Sequence, residues 1–135
     1  MPANNKNLRL KGPDISQYLF GIQAAPLLLS GVYSLLWPSA VASLPNSPVK
    51  GVSMGTIQAM SLTSLSLGAF YAVASFQNNI PMMVTTVPGR LLAAFIFHRN
   101  GGPWRSVAPF EGLMGLITAA AVYWGWYSDQ EPKRA

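Results

Sequence analysis

Two ionisable residues stand inside long apolar stretches. Arg90 is the lone charge between Lys50 and Arg99, and no charge follows Glu111 until Asp129. A carboxylate can take or give a proton, and a guanidinium can steady a developing negative charge. Glu111 as acid or base with Arg90 as electrostatic partner would therefore suffice for proton transfer on a lipid-soluble substrate, such as a cofactor-free isomerisation or cyclisation. Other chemistry is excluded by what the chain lacks. With no Cys and a single His it offers no thiol nucleophile, no iron-sulfur cluster and no conventional zinc site. Nucleophile-elbow, phosphate-loop, dinucleotide and zinc-protease motifs are absent, and no metal or cofactor is implied.

The elements that must position this pair are membrane spans. Half of the 135 residues are apolar, and 10% are Asp, Glu, Lys or Arg, against about 25% in soluble domains. Such a chain cannot cover a water-facing surface with charge, so its partner is the lipid bilayer. Met1 to about Gln17 is polar, with Lys6, Arg9 and Lys11, and reads as a tail without the apolar core of a cleavable signal peptide. The uncharged stretches predict an all-α, four-transmembrane-helix bundle as one domain over 18–127, with spans at about 18–37, 52–76, 80–97 and 106–127, followed by a charged tail over 128–135. Pro26 should kink the first span, and Pro88-Gly89 should interrupt the third just before Arg90. Pro38, Pro45 and Pro48 mark a loop along the interface. Tyr123, Trp124, Trp126 and Tyr127 form an aromatic belt.

Depth along these spans places the candidate site. Arg90 is eight residues before His98, about 12 Å along a helix, and Glu111 enters the fourth span about 7 to 8 Å from the same side. The third and fourth spans are joined by the Gly-rich turn His98 to Pro103, so their charges fall in one leaflet and predict an ion pair. Gln58 and Tyr33 lie about one turn from the same surface, with His98 at its rim. Convergence of these five side chains would make a pocket for a lipophilic molecule with a polar end, in which Gln58, Tyr33 and His98 bind and Arg90 and Glu111 act. The alternative is a purely structural pair that fixes the register of two helices, with His98 an interfacial residue and Gln58 an interhelical hydrogen-bonding group.

Charge placement also speaks to partners and orientation. The net charge of +5 is spread over tails and loops, which suits anionic headgroups and gives no basic run for nucleic acid. Five basic residues in the tails against Lys50, Arg99 and Arg105 in the loops favour cytoplasmic or matrix termini. Small residues four apart, Ser64 with Gly68, Gly68 with Ala72, Gly115 with Ala119 and Ala121 with Gly125, predict close helix packing within the chain, with homodimerisation as the alternative use.

The runs GIQAAPLLLSGVYSLLWP, YAVASFQNN and RLLAAFIFHRNGG resemble the small uncharacterised four-helix membrane proteins of filamentous fungi, some of which are encoded beside natural-product pathways. The resemblance covers about Leu19 to Trp126 and rests chiefly on Gln77-Asn78 and Arg90. It implies a setting in secondary-metabolite biosynthesis, in the endoplasmic reticulum or another endomembrane, and carries over no catalytic residue. A competing expectation is a structural or assembly subunit of a larger membrane complex, such as a respiratory supernumerary subunit, suggested by the small size and the small-residue faces.

Overall fold

The computed structural model describes residues 14–130, with the side chains of 129 and 130 excepted. Predicted tail residues 1–13 and 131–135 lie outside this range. The described chain is all-α: α1 (Ile15–Leu36), α2 (Pro38–Ser43), α3 (Met54–Phe76), α4 (Ile80–Asn100) and α5 (Trp104–Gln130). Four of these are long and apolar enough to cross a bilayer, and their outward surfaces carry large side chains such as Leu29, Phe76, Phe95 and Trp124. No aqueous surface tolerates such a coat at this density. The chain is an integral, multi-pass membrane protein.

Local chemistry explains where the helices start and stop. Ser53 Oγ accepts the Thr56 amide and Asn79 Oδ1 accepts the Met82 amide, so α3 and α4 each open on a side-chain cap. Asn78 holds a positive φ of 48° in the turn between them, as do Gly101 and Gly102 between α4 and α5. Two expectations change. The proline-rich segment is not wholly loop, because Pro38 at the first helical position fixes φ and starts the short α2. Pro88 does not interrupt the third span: α4 is continuous from Ile80 to Asn100, as membrane helices permit when only one backbone bond is lost.

The helices pack as two antiparallel pairs, α1 with α3 and α4 with α5, and the pairs meet through α1 and α5. The order across the bundle is therefore α3, α1, α5, α4. Consecutive in sequence, α3 and α4 share little packing. The α1–α3 seam is tight in a reciprocal way. A Cβ on Gly31 would stand 2.8 Å from Leu65 Cγ, and one on Gly68 would stand 2.8 Å from Leu28 Cγ. Ser64 Oγ donates to the Leu27 carbonyl at 2.9 Å, and Ser75 Oγ donates to that of Gln17 at 2.7 Å. Small residues here let backbones approach, which is how helices associate in lipid without a hydrophobic drive. The buried core of Phe20, Ala24, Tyr71, Ala74 and Met83 sits beside this seam, towards the α3–α4 turn.

Candidate functional site

Arg90 is the midpoint of α4, ten residues from either end, or about 15 Å at the helical rise. A charge at that depth costs about 2.5–3.5 kcal/mol on the insertion scale and so requires partners. It finds one on each of the other three long helices. Nη1 donates to Glu111 Oε2 of α5 at 2.7 Å, Nε to the Tyr71 hydroxyl of α3 at 3.0 Å, and Nη2 to Gln23 Oε1 of α1 at 3.3 Å. Gln23 in turn donates to Thr118 Oγ1 at 2.8 Å, extending the network back to α5. The guanidinium carbon also stands 5.1 Å from the centre of the Tyr71 ring. Tyr71 is held in turn by stacking on Phe20, with ring centroids 4.3 Å apart.

Local sequence makes this hub reachable. Gly115 of α5 faces the Arg90 stem, and a Cβ there would approach Arg90 Cβ to 3.1 Å. The small residue thus lets α5 come close enough for Glu111, one turn earlier, to lie beside the guanidinium. Burial grades across the pair: Arg90 is 7% exposed and Glu111 17%. Among the described residues, Glu111 Oε1 accepts no hydrogen bond and the Tyr71 hydroxyl proton has no acceptor, since Oε2 and the hydroxyl oxygen carry their contacts to Arg90.

Arg90, Glu111 and Tyr71 form the polar part of the wall of a cavity of about 350 Å³ between α3 and α4, where packing is thin. Leu27, Leu67, Ala93 and Phe97 supply apolar wall. Thr86 Oγ1 donates to the Met83 carbonyl, so it presents little unsatisfied polarity. Leu67 and Gly89 are exposed near the middle of their spans, so the cleft opens towards the lipid. At the far end of α4, Phe97 stacks on Trp104 with centroids 4.9 Å apart.

Of the five side chains expected to converge, only Arg90 and Glu111 do. Gln58 lies on the α1–α3 side, its Nε2 3.5 Å from the Leu35 carbonyl. Tyr33 is exposed and tilted against Trp37. His98 is exposed in the last turn of α4. None of the three lines the cavity. Arg90 is level with Tyr71 and Gln23, and Gln58, Tyr33 and His98 lie about 20, 15 and 12 Å from that level along α3, α1 and α4. Tyr71, Gln23 and Thr118 take their place around the pair, all buried. Gln23 carried a readable signal, an amide well inside an uncharged span, where polar side chains seek interhelical partners. Tyr71 carried one too, as a tyrosine several residues in from the interface.

No cluster of three or more His, Cys, Asp or Glu side chains comes together among the described residues. No family model, curated protein or solved structure matches the chain.

Proposed function

We propose that this protein binds a lipophilic small molecule within the bilayer, in the α3–α4 cleft, and handles its polar end with Arg90 and Glu111. The observation that carries the reading is an ion pair of a buried arginine and a half-buried glutamate at mid-membrane, set in the wall of a largely apolar cavity that opens to lipid. Its volume falls at the lower end of the range for ligand pockets, about 300–1,000 Å³. The chemistry on offer is proton transfer. Glu111 Oε1 is free to accept a proton, and each Nη of Arg90 has a second N–H that no protein group engages, able to steady an oxyanion. Cofactor-free isomerisation or cyclisation, in the biosynthesis of a secondary metabolite, is the reaction class this inventory serves. The resemblance to fungal membrane proteins supports that setting, in the endoplasmic reticulum or another endomembrane, and the basic tails support cytoplasmic termini.

One observation favours a second reading. All three guanidinium nitrogens of Arg90 have protein partners on three different helices, as an architectural staple would, and this suits a subunit of a larger membrane complex. Deletion of the gene in its host, complemented with wild type or with Glu111→Gln at equal abundance, separates the two. The binding and catalytic reading expects a lipophilic intermediate to accumulate on deletion and to persist with Glu111→Gln. An unchanged metabolite profile with a respiratory growth defect would instead establish the subunit reading.

A further inference from the structure

Resting on the cleft as a ligand site, the unused valences of its polar end define the head group it accepts. The charges cancel there: one guanidinium faces one carboxylate at 2.7 Å, with no other ionisable group in the cavity wall except the tyrosine phenol. An anionic head would enter beside Glu111 and an ammonium beside Arg90, and either would bring an uncompensated charge to mid-membrane. What remains among the described residues is donors in excess, the Tyr71 hydroxyl proton and the second N–H of each Arg90 Nη, and one acceptor, Glu111 Oε1. The Tyr71 hydroxyl receives Arg90 Nε, so its own proton is available, and Glu111 Oε1 accepts nothing. Both residues line the same cavity and are bonded to the same guanidinium.

A single alcohol fills the one open acceptor by donating to Glu111 Oε1, and its own oxygen accepts from Tyr71. A ketone or ester accepts but cannot donate, and leaves the carboxylate oxygen desolvated without a partner, the more costly kind of omission in a low-dielectric site. A hydrocarbon satisfies neither. We propose that the cleft selects neutral lipophiles bearing a hydroxyl group, held between Tyr71 and Glu111, with the apolar body along Leu27, Leu67, Ala93 and Phe97.

The experiment is photolabelling of the purified full chain in lipid nanodiscs with a diazirine-bearing long-chain alcohol, with labelled residues mapped by mass spectrometry. Dodecanol, dodecanoic acid, dodecylamine, methyl undecanoate and dodecane serve as competitors. Labelling should concentrate on the cleft residues of α3 and α4, and dodecanol should displace it at concentrations about tenfold lower than the other four, the effect of about one charge-assisted hydrogen bond. Tyr71→Phe, which keeps the stack on Phe20, should reduce the dodecanol advantage several-fold while leaving competition by dodecane unaltered. Thermal stability of the variant in the same nanodiscs confirms that it is folded. Equal competition by all five molecules at the cleft would overturn the alcohol preference and leave the lipophile site intact. Preference for dodecanoic acid would overturn it in favour of an anion site. Labelling spread evenly over the lipid-facing surface, with no enrichment in the cleft, would overturn both the preference and the ligand site on which it rests.

Discussion

The two faces of α3 are built on opposite principles. Towards α1 it is joined by glycines interlocked with leucines and by serine hydroxyls on backbone carbonyls. Towards α4 it shares less packing: Tyr71 and Ala74 meet Met83 in the buried core near the turn, and beyond it Arg90 donates to the Tyr71 hydroxyl beside a cavity. The first face gains its stability from many small dispersion contacts that exist only at close approach. The second joins a small core near the turn to one polar hub and leaves room beside it. Close backbone approach is thus assigned to one seam, and a charged hub beside a cavity is assigned to the other. What sets the α3–α4 cleft apart is charge and not volume: the hollows along the α1–α3 seam, about 470 Å³ beside Gly21 and Ser75 and about 170 Å³ beside Gly31 and Ser61, have no Arg or Glu in their walls.

The comparison can be broken most forcefully at the hub. Glu111→Ala leaves a guanidinium at mid-membrane without its counter-charge, and should destabilise the bundle by about 3–5 kcal/mol, as loss of one partner of a buried pair does. Reversible unfolding in detergent micelles measures this. A loss under 1 kcal/mol would mean that the pair is solvated through the cleft and is not the tie between α4 and its neighbours.

The seam is tested by one substitution at two places. Gly68→Ala puts a methyl 2.8 Å from Leu28 Cγ and 3.1 Å from the Leu28 amide nitrogen, so backbone must move, at about 1–3 kcal/mol. Gly125→Ala meets nothing within 4 Å, and should stabilise α5 by about 0.5–1 kcal/mol through helix propensity alone. Opposite signs for the two variants in the same unfolding assay sharpen the contrast between packed and unpacked glycines. Equal destabilisation would show that the Gly125 face is occupied, as a homodimer through α5 would require.

What the sequence disclosed follows the same division. The spans were legible because charge is excluded from them over long intervals, and the ion pair was legible because two misplaced charges on helices joined by a short turn have few other ways to be neutralised. Helix starts were displaced by only a few residues: α1 begins at Ile15 and α5 at Trp104, since interfacial polar residues such as Ser16 can be helical as readily as apolar ones. The rest of the site was misplaced in depth. Tyr33, Gln58 and His98 lie near the membrane surface, whereas Arg90 at mid-helix is level with Gln23 and Tyr71, about 12 to 20 Å deeper, beyond the reach of an arginine stem. The order α3, α1, α5, α4 turns Gln58 towards α1 and brings Gln23 to Arg90. That order depends on which small-residue faces interlock, and Gly31 with Gly68 was the deciding pair. Gly31 was not among the residues four apart, because the seam alternates glycine and leucine between the two helices and does not pair small residues within one.

If Arg90 and Glu111 serve a ligand and are not merely a tie, ligand binding should be separable from folding. Replacing both, as Arg90→Met with Glu111→Leu, removes the two charges together, and such paired replacement of a buried ion pair is commonly neutral or stabilising. The most direct measurement is cleft photolabelling of this double variant in nanodiscs, alongside its unfolding midpoint. The double variant should fold, be at least as stable as wild type, and lose dodecanol-sensitive labelling of the cleft. Wild-type labelling and competition in a folded double variant would contradict a ligand role for the pair.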